Sequence, residues 1–591
     1  MAKSKNKKNK DTIVEAEVVE IKDDVKKQVK SKKENNLDIK FNLNKNHINL
    51  IILGAILFLG FYLRMYHMDY PVVGYHNWKE THYLTEARNF ERDGFFKYGF
   101  FVPAYDLLGT NDDKSGVHPD TFPIISIILA LFFKAFGTSL VVARFVGILF
   151  SMGTVAFTYL FVKRIFKRED IALVAAAVAT MNPLLIFFSH NTQLVNPGIF
   201  FMMVSAYFFA GFIENYNSKD LILTSIFATL SALAKYPFLL IGIPMFFVFG
   251  IRIIKSPTKM FAKLKNKWGV FLISAMILSS VFIWISYSDT VREKYIGKGS
   301  ESEAKLTDLI KLEIFKDPNF WPAIKSYTRD NFTFEGIYLA IVGFIFITLF
   351  YNKSVGNAFT FWYFIGSIFW FIIMSFKLSG HNYHMFPIAP LFFILVGYLF
   401  TVIGSNLGKL VKNDIVKWVF IAIALIWLFN ISKPSWERMY DTQFIGLDVA
   451  GEYINAHSTP DELIYHSSHQ SFGVLWHADR KGIKPASLLE TFKRVEDRGI
   501  NWYFVYQWQF PKLFNNPEIW EHVQSSYSLK QMAYTMQNDQ PNLLYMLFKK
   551  EGSFDGSDIT KLVQNFTSIN EVTTKEYELT KGKQVLYVVS E

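Results

Sequence analysis

Cysteine is absent from the 591 residues, so disulfides, thiolate metal sites and cysteine nucleophiles are excluded, although no compartment is thereby assigned. Charge is scarce as well. Charged residues make up 19% of the chain, where a soluble protein carries roughly 25%, and they cluster between long apolar runs. The net charge of +11 is a weak argument for nucleic acid. Most of the excess lies in the first fifty residues and in short loops, where membrane topology explains it better. What the sequence has in quantity is apolar and aromatic: 51% hydrophobic, 17% aromatic, 60 Phe. That is a membrane composition.

Three regions follow. Residues 1–46 are dominated by Lys, Glu, Asp and Asn, cannot bury enough apolar surface to offset ordering entropy, and read as a disordered basic tail. Residues 47–432 alternate apolar segments of roughly 15–20 residues with short polar loops. The expected spans are Ile48–Tyr66, Leu140–Val162, Ile171–Phe188, Gly198–Ile213, Leu221–Ala234, Pro237–Ile254, Gly269–Tyr287, Gly336–Tyr351, Ala358–Phe376, Met385–Ile403 and Lys417–Ile431. The run Phe122–Phe136 is shorter. Treating it as juxtamembrane puts the loops Lys163–Arg168, Lys255–Lys267, Lys353 and Lys409–Lys417 on the side of the basic tail, as the positive-inside rule favours. The tail is then cytoplasmic and the C-terminus outside. Residues 433–591 mix short β-rich runs (Glu462–Ser467, Trp502–Tyr506, Leu543–Phe548, Val585–Val589) with amphipathic stretches (Ala486–Arg498, Glu518–Tyr527), which predicts a small extracytoplasmic α/β domain.

On this topology the polar residues sort by side. The outer loop 67–121 holds Trp78-Lys79-Glu80-Thr81-His82-Tyr83, Glu86, Arg88 and Val117-His118-Pro119-Asp120. Other outer segments give Ser189-His190-Asn191-Thr192-Gln193, Ala234-Lys235-Tyr236-Pro237, and Lys377-Leu378-Ser379-Gly380-His381-Asn382-Tyr383-His384. The cytoplasmic loops offer little beyond lysine. Carboxylates, histidines and amides from four segments thus converge on one face, and ionisable groups at a bilayer are costly enough to be functional as a rule.

The same residues carry a resemblance. Trp78–Tyr83 with Ala87-Arg88-Asn89-Phe90 resembles the first-loop motif of the GT-C superfamily, in particular the protein O-mannosyltransferase and lipid A aminoarabinose transferase group of glycosyltransferase family 39. Val117–Pro123 is similar to the basic–Pro–Pro–Leu segment that ends that loop. Arg144 and Lys163-Arg164-Ile165-Phe166 look like the next span and its basic end, Ala234–Pro237 like Thr-Lys-x-Pro, and Gly380–Pro390 like the late aromatic–Leu-Pro segment. The resemblance covers about Ile48–Ile403. It departs at Lys79, where the family places an Asp, and at Asp120, where it places a second Pro.

The resemblance implies a polytopic α-helical GT-C membrane fold of about 11–13 helices and an enzyme of the plasma membrane and cell envelope. Such an enzyme moves a sugar with inversion from a polyprenyl-phosphate donor, such as a dolichyl-phosphate mannose, to a protein, lipid or glycan acceptor on the outer face. The chemistry needs a base for the acceptor's proton and cations for the departing phosphate. Glu80 is the expected base and His82 the second choice. Lys235, His118, His381 and His384 are the expected phosphate ligands, and Lys79, Tyr83, Asp120, His190 and Gln193 the substrate contacts. The resemblance implies no required cofactor, while the outer histidines and acids leave room for a divalent metal. Two other readings fit a polytopic chain: a transporter or flippase of lipid-linked saccharides, and a non-catalytic relative that binds glycolipid.

Overall fold

The computed structural model describes residues 45–105, 115–297, 311–349, 354–466 and 469–591. Residues Leu53–Glu591 form one compact unit; of the other, Met1–Ile52, the described residues are the start of helix Lys45–Leu63. The expected basic tail and Lys353 lie outside the described residues.

Each of the eleven apolar segments is mainly helical where described. Among the described residues, seven helices are long and apolar enough to cross a membrane: Leu140–Phe166, Val195–Asn215, Tyr236–Lys255, Trp268–Tyr295, Val355–Gly380, Asn382–Val411 and Asp414–Asp441. An eighth candidate is the pair Phe320–Phe332 and Phe334–Leu349, which bends by 82° where Thr333 takes a positive φ of 60°. The segment 171–188 is broken: Asn182 is extended, as expected before proline, and Pro183 opens a new turn. Helix Ile124–Phe136 has 13 residues, short of the roughly 20 that a bilayer requires.

The basic loops meet one another. Arg168 and Lys417 both pair with Asp170, Lys167 and Arg164 with Glu214, and Lys267 donates to Ser218 at 3.1 Å. At the opposite ends of the same helices the packing is close enough to demand glycine. A Cβ on Gly147 would lie 2.3 Å from the Ser189 carbonyl oxygen, so any larger residue would push the 189–194 segment away.

The last long helix runs to Asp441, past the expected domain start at 433. Beyond it a seven-stranded sheet forms, in the order β2-β1-β3-β5-β4-β7-β6. Its strands are β1 Leu463–His466, β2 Gly482–Ile483, β3 Ile500–Tyr506, β4 Ser528–Gln537, β5 Gln540–Lys549, β6 Glu571–Leu579 and β7 Gly582–Ser590. β2, β1 and β3 are parallel, and the remaining pairs antiparallel. Alternate residues serve opposite faces. Ile464, Trp502 and Phe504 pack on Leu447, Ala450 and Ile454, while Tyr465, Tyr503 and Val505 pack on Phe492, Trp520 and Val523. The first of these cores also takes in Val73 and Tyr105 from the first loop. The sheet is therefore built onto the loop rather than tethered beside it.

Candidate active site

Helix Asn77–Asp93 of the first loop is polar by composition yet largely buried, including Glu80, His82, Glu86 and Arg88. A buried polar group without a partner costs about 1–3 kcal/mol, so such a helix depends on pairing most of its groups. Thr81 Oγ1 and Thr85 Oγ1 have no hydrogen-bond partner, but the larger side chains are anchored. Asn77 donates to the Gln470 carbonyl at 2.9 Å and accepts from the Gly473 amide at 3.2 Å. Arg88 lies 4.3 Å over the Trp476 ring, donates to the Trp476 carbonyl at 3.0 Å and pairs with Asp479 at 3.0 Å. Asn89 donates to the Ala104 carbonyl at 2.9 Å. The amide of Val72 donates to His477 Nε2 at 3.1 Å, which requires that nitrogen to be unprotonated. Burial holds the His477 pKa down at about 4, in agreement.

Lys79 and Tyr83, one helical turn apart, face a cavity of about 200 Å³. Three of the four polar segments reach it. The first loop also contributes Asp120, the third segment Lys235 and Tyr236, and the last Lys377, His381, Tyr383 and His384; the second, Ser189–Gln193, does not line it, although its neighbour Leu194 does. The Lys235 ammonium sits 4.1 Å from the Tyr383 ring centre, and Lys79 lies 4.4 Å from that of Trp78. Among the described residues, Asp120 is the one carboxylate that lines the cavity. Its backbone is held from the adjoining span: the Trp284 indole donates to the Asp120 carbonyl at 3.0 Å, Ser288 donates to it at 3.2 Å, and Arg292 donates to the Pro119 carbonyl.

Glu80, one residue on from Lys79, is turned to the other side of the helix. It accepts from Arg144 at 3.2 and 3.3 Å. Arg144 in turn donates to the carbonyls of His67 at 2.8 Å and Tyr70 at 2.6 Å. Burial raises the Glu80 pKa, and Arg144 opposes the rise. Glu80, Arg144 and His190 line a separate space of about 40 Å³, room for a water rather than a sugar. Gln193 is buried and donates to Asn191.

A third cluster lies on the same helix. His82 Nε2 is 2.9 Å from Glu86 Oε1, Glu86 Oε2 accepts from Ser126 at 2.7 Å, and the ring of His118 lies 4.6 Å from that of His82. Burial lowers His82 well below the usual imidazole range and lifts Glu86 to about 7. Burial and His82 together lower His118 to about 4. For Asp120, burial acts upward and is outweighed by His118 and Lys79, so the pKa falls. Burial, His76 and the lysines hold His381 at about 3.

Six of the residues singled out from sequence therefore share one cavity: Lys79, Tyr83, Asp120, Lys235, His381 and His384. His82 and His118 belong to the neighbouring cluster, Glu80 and His190 to the small pocket, and Gln193 to neither lining. His381 is neutral in the free protein at pH 7, so the formal positive charge of the cavity comes from lysine. Lys377, a lining residue not named as a site from sequence, carried a legible signal: it opens the polar run that ends at His384.

Residues 117–284 match a protein family described as dolichyl-phosphate-mannose-protein mannosyltransferase. No curated protein matches the chain by sequence. Among solved structures, the Archaeoglobus fulgidus oligosaccharyltransferase, tethered to an acceptor peptide, is similar at 13% identity and a TM-score of 0.52, over 84% of this chain and 74% of that one. ArnT from Cupriavidus metallidurans, bound to undecaprenyl phosphate, is similar at 11% identity and a TM-score of 0.51, over 85% of this chain and 98% of that one. At such identities the structural likeness speaks to fold. The family match covers residues 117–284 alone, and the fold of the whole chain is similar to that of these solved membrane proteins.

Proposed function

We propose that the chain transfers one sugar, with inversion, from a polyprenyl-phosphate carrier to an acceptor hydroxyl on a protein, lipid or glycan, at the face of the membrane away from the basic loops. The observation that carries this reading is the cavity itself: three lysines and two histidines around a single carboxylate, where the polar segments of the membrane helices meet. Similar proteins solved with dolichol-phosphate and with undecaprenyl phosphate support the donor class.

In this reading Asp120 is the base, in preference to Glu80. The acceptor oxygen attacks the anomeric carbon and its proton passes to the Asp120 carboxylate. The bond between that carbon and the phosphate oxygen breaks, and polyprenyl phosphate leaves as an anion held by Lys79, Lys235 and Lys377, with N–H groups of His381 and His384 beside them. Glu80 is already committed to Arg144. The charge of the short loops supports a cytoplasmic tail, with the cavity and the sheet domain on the opposite side. In a transfer assay with radiolabelled polyprenyl-phosphate sugar, Asp120→Asn lowers turnover by roughly 10²–10⁴-fold while donor binding persists. Full activity of Asp120→Asn with an inactive Glu80→Gln returns the role to Glu80. Donor binding without transfer by the wild-type protein, across sugars and acceptors, supports the glycolipid-binding reading instead.

A further inference from the structure

The His82, Glu86 and His118 cluster has no part in the transfer chemistry above, and its geometry has a use of its own. Their ligand atoms all lie within 4.8 Å of one another. His82 and Glu86 are four residues apart on one helix and so project together. Their mutual hydrogen bond accounts for one oxygen of Glu86, and Ser126 holds the other. His118 comes from a different stretch of chain whose backbone is pinned: its amide donates to the Pro103 carbonyl at 2.9 Å, beside the bridge between Ala104 and Val117. A hydrogen-bonded histidine–carboxylate pair explains His82 and Glu86 but not the third member. His118 Nδ1 is buried and has no hydrogen-bond partner. Among the described residues, no lysine or arginine pairs with Glu86.

We infer that His82, Glu86 and His118 bind one divalent first-row metal ion of the zinc class. Two imidazoles and one carboxylate form a borderline donor set that suits zinc, cobalt or manganese. In a tetrahedral zinc site, bonds of about 2.0–2.2 Å put donors roughly 3.4 Å apart; side-chain rotation brings donors that already lie within 4.8 Å to that spacing. Ser126 then orients the ligating carboxylate as an outer-shell partner. The ion ties helix Asn77–Asp93 to the segment 117–120, the two pieces of first loop that carry Lys79, Tyr83 and Asp120 to the cavity. Three protein ligands leave a fourth position for water.

This inference does not rest on the transfer reading, and its test uses binding rather than turnover. Full-length protein in detergent is stripped with chelator, repurified and titrated with cobalt(II), following visible d–d absorption, while zinc content after incubation and desalting is measured by mass spectrometry. One equivalent per chain is expected, with an absorption band of histidine-ligated cobalt. Glu86→Gln and His118→Gln, both polar and near in size, lower the affinity at least tenfold while eluting as monodisperse protein. Wild-type protein that takes up less than a tenth of an equivalent of cobalt, zinc or manganese overturns the inference. So does binding by both variants as tight as wild type, or a cobalt spectrum with no histidine ligation.

Discussion

Two pockets lie on either side of helix Asn77–Asp93, and they are built on opposite electrostatic plans. In the smaller, the carboxylate of Glu80 has its own guanidinium in Arg144, which also gathers the carbonyls of His67 and Tyr70. Charge there is matched within the chain. In the larger, Lys79, Lys235 and Lys377 outnumber the lone carboxylate of Asp120. A matched pair locks a loop in place, whereas a surplus of cations around a space that can hold a small molecule awaits an anion. The comparison separates a structural carboxylate from a chemical one even though the two helix residues at issue, Lys79 and Glu80, are adjacent.

The largest effect is expected where matched charge is broken. Arg144→Met keeps the bulk and strands Glu80 as a buried carboxylate, which costs about 3–5 kcal/mol of stability. Glu80→Gln in that background restores much of the loss, because no charge is then left unpaired. Apparent Tm values of the two variants decide the matter. If Arg144→Met melts like wild type while donor binding collapses, the pair belongs to the binding machinery and the contrast fails.

How much of this was legible in sequence follows the same division. Apolar runs such as Leu140–Val162 and Gly269–Tyr287 announce helices because nothing else satisfies a backbone in lipid. The asymmetry of lysine and arginine between loops was enough to group the four polar segments; three of them line one cavity, and the second, Ser189–Gln193, lends His190 and Asn191 to the small pocket instead. The orientation of Glu80 was not legible. Successive residues on a helix differ by about 100°, and which face meets Arg144 is a tertiary fact. Nor was the docking of the sheet: nothing in the pattern of the first loop says that Asn77 and Arg88 hold Gly473, Trp476 and Asp479. β6 escaped notice because Glu571–Leu579 is an edge strand bearing Thr573, Thr574, Lys575 and Glu576, mostly exposed. Charge on an edge guards against further pairing and erases the alternating pattern that would reveal the strand.

A middle-sized effect is expected in the unmatched pocket. Lys235→Ala removes one charge-assisted contact to the donor phosphate, worth about 1.5–3 kcal/mol, which is roughly 10–100-fold in affinity. Equilibrium binding of polyprenyl phosphate to Lys235→Ala and to Glu80→Gln sharpens the comparison: the first weakens and the second does not. Equal loss in both variants would show that the two pockets act as one.

The smallest effect concerns His381, which reports the cation surplus through its proton. His381 faces His76, Lys79, Lys235 and Lys377, and burial together with those neighbours holds its pKa at about 3, against about 6.5 in an unfolded chain. Between those values the unfolded chain binds a proton that the folded chain refuses. Stability from this group is therefore complete above pH 6.5 and drains away as the pH falls toward 3. At pH 5.5 the loss is about 1.4 kcal/mol. His381→Asn, which cannot take up a proton, should show a correspondingly smaller fall in apparent Tm between pH 7.5 and 5.5. Saturating polyprenyl phosphate should flatten the wild-type fall in the same way, because an anion among the lysines raises the pKa of the folded state. A wild-type fall unchanged by the lipid, or matched by that of His381→Asn, would mean that the anion does not sit beside His381 and that the lysine surplus is balanced elsewhere.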